Sequence, residues 1–187
     1  MRVFVAIDLP DAIRTELERL QEHLPVGRAV QSDNLHLTLS FLGDQSEAAC
    51  EDAHEALSDV HAKPFDLRLS GLGTFGKKAP QVISADVERC EELIQLERKI
   101  TRKLRSAGVQ FQKRRFRPHV TIARLSKMFS TDGLAQVQSF LATQAEFRGS
   151  QFQVREFHFY CSTLTPDQAH HEVLATYGLS KPEIDLF

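Results

Sequence analysis

Cysteine, tryptophan and long apolar runs are what this chain has least of. Tryptophan is absent, and three cysteines occur in 187 residues. Cys50, Cys90 and Cys161 are odd in number and widely spaced. They make neither a disulfide framework nor a zinc site, and they suit a reducing cytosol. No His-x-x-x-His or Cys-x-x-Cys is present, and no apolar stretch approaches the length that spans a bilayer. The opening MRVFVAIDLP reaches Asp8 after a short apolar run, with no signal-peptide cleavage pattern behind it. There is no glycine-rich loop to cradle a nucleotide phosphate. A net charge of −2 gives no global attraction to nucleic acid, so any such contact must be local. What remains is a cytoplasmic globular protein of one domain over residues 1–187, without linker or low-complexity tract.

What the chain does have is a repeated tetrapeptide, HLTL at His36–Leu39 and HVTI at His119–Ile122. Each copy sits in an apolar run that reads as a strand, where side chains alternate between faces. His36 and Thr38 therefore share one face, as do His119 and Thr121, while Leu37, Leu39, Val120 and Ile122 turn to a core. With 8 histidines, composition alone gives about 0.4 His-x-Thr triplets, and about 0.1 once both other positions must be apolar. Two copies are then an outcome of order one in a few hundred.

With their flanks, NLHLTLSFLG and FRPHVTIAR resemble the paired HxTx signatures of the 2H phosphoesterase superfamily. Within it they are most similar to the RNA 2′,3′-cyclic phosphodiesterases, also called 2′-5′ RNA ligases or LigT-like proteins. The opening RVFVAIDLP and the GLGTF stretch at Gly71–Phe75 fit as well, so the likeness covers nearly the whole chain. Two places depart from the family: Val82-Ile83-Ser84 stands where an aromatic residue is frequent, and Ala169-His170-His171 where a tyrosine is common. The resemblance implies an α+β fold, two-lobed and internally duplicated, with mostly antiparallel sheets flanked by helices around a central cleft.

Periodicity places the elements. Strands are predicted at Val3–Asp8, Leu35–Leu42, Phe65–Leu72, Gln81–Val87, Phe116–Arg124, Gln151–Ser162 (with a bulge near Glu156) and His171–Tyr177. Helices are predicted from Pro10 to about His23, from the Ser46 cap to about Val60, over Cys90–Ser106 and over Gly133–Thr143. The elements fall into two rough sequence halves, each with one motif strand.

Two imidazoles and two hydroxyls around one small anion suit phosphoryl transfer without a metal or other cofactor, because imidazole titrates near neutral pH. The resemblance makes His36 the proton donor and His119 the acceptor, an order the nearly symmetric motifs leave open. Thr38 and Thr121 would hold phosphate oxygens, and the resemblance adds Arg124, although strand parity sets it opposite His119. The basic run from Lys113 through Arg114, Arg115 and Arg117 is a candidate RNA contact. Phe41 is a candidate base platform whose parity with Leu37 points instead to the core. Adjacent His170 and His171 point opposite ways in a strand, which argues against metal binding and leaves His171 as a candidate nucleotide contact. His54 and His61 read as solvated, and His158 as facing the far side of its sheet. The expected partners are RNA ends or nucleotides bearing a 2′,3′-cyclic phosphate, met by a monomer. The alternatives are a phosphodiesterase for a small cyclic nucleotide, a 2′-5′ oligonucleotide or cyclic ADP-ribose phosphate, and a binding module without turnover.

Overall fold

The computed structural model describes residues 1–76, 79–112, 115–126, 131–165 and 169–180. In chain order the first elements are strand β1 (Arg2–Asp8), helix α1 (Asp11–Gln21), the two-residue β2 (Arg28–Ala29), a 3₁₀ turn at Ser32–Asn34 and β3 (His36–Asp44). Then come α2 (Glu47–Ser58), β4 (Phe65–Leu67), β5 (Leu69–Phe75), β6 (Val82–Val87) and α3 (Glu91–Ser106). The chain continues with β7 (His119–Arg124), α4 (Thr131–Thr143), β8 (Phe152–Val154), β9 (Glu156–Leu164) and β10 (Ala169–Gly178). Ser46 caps α2, its Oγ accepting the Ala49 N–H at 3.2 Å. Leu93, Leu96, Ile100 and Leu104 of α3 are fully buried at helical spacing, each worth about 1.5–3 kcal/mol of burial. Gly108, with φ +83°, follows that helix where an L side chain would be strained.

The fold is α+β, and it resolves into two halves of one antiparallel sheet in the order β10-β9-β1-β3-β7-β6-β5, with β2 beside the end of β7. The two motif strands are central neighbours, joined in register only through Leu37 opposite Val120. The other neighbours in that order pair along several residues each, so this seam is where the sheet opens into a cleft. The halves are not the sequence halves expected. β9 and β10 return from the C-terminal third to lie beside β1, where Phe157 and Phe159 are buried in the core.

Three strand readings change. Phe65–Leu72 is two strands, since β4 leaves to form a separate pair with β8 while β5 stays on β6. The slip near Glu156 is a change of partner: at Arg155 the chain passes from β4 to β1. Phe41 does not join Leu37 in the core. A register shift beside Leu39 sets Ser40 opposite Val5 and Phe41 opposite Phe4, turning Phe41 to the motif face, 37% exposed beneath the Arg2 guanidinium.

Candidate active site

Antiparallel pairing about Leu37 and Val120 sets His36 across from Thr121 and Thr38 across from His119. All four side chains line one cleft of about 240 Å³, together with Arg28, Gln31, Asn34, Arg124 and His171. The x position of each HxTx motif forms the buried seam, and the polar positions form the corners.

The two histidines are held alike. His119 Nδ1 lies 2.7 Å from the Arg117 carbonyl and donates to it, which leaves Nε2 for the cleft. His36 hydrogen-bonds the carbonyl of Asn34, also two residues upstream. Each imidazole also lies on a phenylalanine: Phe4 stacks on His36 at 4.9 Å between centroids, and Phe75 meets His119 at 4.2 Å. The Phe4 stack continues to Tyr160, whose hydroxyl donates to Asp8 beside His36.

Their electrostatics differ. Burial pushes His36 down to about 4, and the nearby His171 charge adds to the shift. The Asn34 carbonyl and the Asp8 carboxylate oppose it without cancelling it. His171 is also lowered, by burial and then by Arg124. Its ring meets His36 edge-on at 5.3 Å, and its Nδ1 is buried without a hydrogen-bond partner among the described residues. His36 is thus a neutral imidazole near pH 7.

Arg124 lines the cleft, contrary to the parity reading. Between β6 and β7 the register passes from Ser84 opposite Thr121 to Ile83 opposite Ala123, so Ile122 is an extra residue. That bulge returns Arg124 to the face of His119 and Thr121. The bulged carbonyl of Ile122 is satisfied twice, by the Val30 N–H at 2.9 Å and by Gln21 Nε2 at 2.8 Å.

Other sequence-marked residues fall elsewhere. His171 faces the cleft as its nucleotide-contact reading requires, and exposed His170 lies on the other face of β10. Arg115 and Arg117 line a neighbouring hollow, while Lys113 and Arg114 lie outside the described residues. His54 is exposed, as read, and its Nδ1 also lies 2.8 Å from the Tyr177 hydroxyl, which ties α2 to β10. His158, turned to the motif face, meets Thr176 Oγ1 at 2.9 Å. Sequence reading missed Arg28. Its only local signal is Gly27 with φ +93°, where a Cβ would lie 2.8 Å from Leu125 Cδ2 and 2.9 Å from the Arg124 carbonyl.

The family model described as "2′-5′ RNA ligase superfamily" matches residues 9–163, across both motif strands. The chain belongs to the 2′-5′ RNA ligase superfamily. Among curated members of this enzyme family, it is 31% identical over 170 residues to the RNA 2′,3′-cyclic phosphodiesterase of Archaeoglobus fulgidus, covering 89% of this chain and 93% of that one. The protein of the same name from Thermotoga maritima is 30% identical over 181 residues, covering 93% of each chain. In three dimensions, E. coli LigT complexed with 3′-AMP superposes with a TM-score of 0.78 at 26% identity, covering 96% of this chain and 98% of that one. No helix among the described residues is long and apolar enough to cross a membrane.

Proposed function

We propose that this superfamily member opens 2′,3′-cyclic phosphate ends of RNA to 2′-phosphates, using two histidines as acid and base and no metal ion. The observation that carries this reading is the pairing of HLTL and HVTI about one seam, with two imidazoles and two hydroxyls around a single cleft. His119 takes a proton from water as its oxygen attacks phosphorus. The P–O3′ bond breaks, and His36 gives its proton to the departing O3′, leaving the phosphate on O2′. Thr38, Thr121 and Arg124 hold the non-bridging oxygens in line for this displacement. His36 can donate because the substrate's negative charge restores the proton that burial removes. By microscopic reversibility, a 5′-hydroxyl in place of water gives a 2′-5′ linkage.

Three free cysteines support a cytosolic setting, and the protein is proposed to act there as a monomer. The test incubates RNA bearing a 2′,3′-cyclic phosphate, and the matching mononucleotide, with the protein in EDTA, then locates the product phosphate by chromatography. The expected product is a 2′-phosphate, with turnover lower by about 10²–10⁴ in His36→Ala and in His119→Ala. Complete loss in EDTA, or a cyclic end left intact, overturns the reading. Tight binding without turnover would make the protein a module that holds RNA ends.

A further inference from the structure

A cleft of about 240 Å³ falls below the range of about 300–1,000 Å³ that encloses small ligands. It has room for a phosphate and part of a ribose, so the base of a bound nucleotide must lie outside it. Beside His119 is a second hollow of about 470 Å³, lined by Phe75, Asp86, Phe116 and Arg117 among others. It adjoins the cleft through the Phe75 ring, which touches His119 and carries the Arg117 guanidinium 4.4 Å from its centroid. An aromatic ring and a guanidinium plane make a stacking platform for a base.

The same hollow holds a carboxylate at a fixed place. Asp86 sits opposite His119 across β6 and β7, and Ser84 hydrogen-bonds its side chain. Burial pushes this carboxyl up, while the His119 and Arg117 charges and the Ser84 bond pull it back. Gly73 makes the room: a Cβ there would stand 3.1 and 3.2 Å from the two Asp86 oxygens. Asp86 is the only carboxylate lining the hollow among the described residues. The proposed chemistry gives it no proton to move.

We propose that this hollow is the base subsite for the nucleotide carrying the cyclic phosphate, and that it selects guanine through Asp86. Guanine N1–H and N2–H are adjacent donors that both oxygens of one carboxylate can accept. Uracil offers one donor between two carbonyls, which would face the carboxylate unpaired. Stacking on Phe75 and Arg117 accepts any base with a modest preference at most, so the larger discrimination falls to Asp86. The proposal rests on the phosphodiesterase reading of the cleft only for the placement of the phosphate.

The test is a binding titration with guanosine 2′-monophosphate and uridine 2′-monophosphate, on the wild type and on Asp86→Asn. The expected result is about tenfold tighter binding of the guanosine nucleotide. Asp86→Asn is expected to erase the preference while the uridine nucleotide binds at least as well as before. Phe75→Leu, which keeps a large apolar side chain, is expected to weaken both nucleotides together. With the 2′,3′-cyclic nucleotides, Asp86→Asn should raise KM for the guanosine substrate and leave kcat in place. Equal affinities in the wild type, or a preference that survives Asp86→Asn, overturn the proposal. A guanosine preference without hydrolysis of either cyclic nucleotide would sink the phosphodiesterase reading and spare this one. Hydrolysis of both with equal KM would do the reverse.

Discussion

His119→Ala removes the proposed base, so a 2′,3′-cyclic nucleotide should stay bound long enough for calorimetry. That ligand carries one negative charge across the whole acidic range. Without that ligand's charge His36 is held at about 4, so only about one molecule in a thousand carries its proton at pH 7. A single negative charge about 4 Å away, at an effective dielectric constant of about 20, is worth about 4 kcal/mol. That is about three pKa units, enough to bring His36 near neutrality. Between about pH 4 and 7, binding should therefore take up one proton, and affinity should fall about tenfold for each unit of rising pH. Titrations near pH 5.5 in buffers of different ionisation enthalpy count that proton directly. The expected uptake is about one in His119→Ala, and close to zero once His36→Gln is added. No uptake in the single variant, or undiminished uptake in the double one, would refute this account of the donor. The same titration in a His171→Gln background removes the other lowered imidazole of the cleft and should leave the uptake standing.

The same shift bears on stability. The folded pKa of His36 lies below its unfolded value near 6.5, so between about 6.5 and 4 the unfolded chain binds a proton that the native one does not. Stability should fall as pH drops through that window, by up to about 3 kcal/mol, and urea unfolding of His36→Gln should show a flatter pH dependence. Arg124→Ala removes the guanidinium proposed to hold the phosphate and should raise KM by about 10- to 100-fold, with circular dichroism unchanged. Gly27→Ala places a Cβ against Leu125 and the Arg124 carbonyl at a φ of +93°. It should lower stability by about 1–3 kcal/mol and raise KM, because β2 is displaced with Arg28. Leu37→Ala opens the seam at a fully buried position and should cost about 2–5 kcal/mol in urea unfolding.

The motif strands were legible because alternation over HLTL and HVTI puts like residues on like faces, and both strands lie at the sheet centre with one face on the core. Helix α3 was legible because its four leucine and isoleucine positions keep strict helical spacing. Parity failed at Phe41 and at Arg124 for one shared reason. A single extra residue, Leu39 in one strand and Ile122 in the other, inverts the face of the residues just after it, Phe41 and Arg124 among them. Arg28 was missed because a two-residue strand has no period to read. Sheet membership of β9 was illegible too, since its partner β1 is more than 140 residues away in the chain. Apolar alternation names a buried face but no neighbour. Phe75, Asp86 and Arg117 come from three separate segments, so only the fold brings their hollow together.

The central claim is that one histidine protonates the departing O3′ while the other activates water. The most direct measurement replaces that bridging O3′ with sulfur in a 2′,3′-cyclic substrate, because a thiolate leaves without help from an acid. Single-turnover rates would then be compared for His36→Ala and His119→Ala on the oxygen and sulfur substrates. The account predicts that sulfur restores His36→Ala to within about tenfold of the wild type and leaves His119→Ala as slow as before. Rescue of His119→Ala alone would exchange the two roles. Rescue of neither variant would contradict acid–base catalysis by this pair.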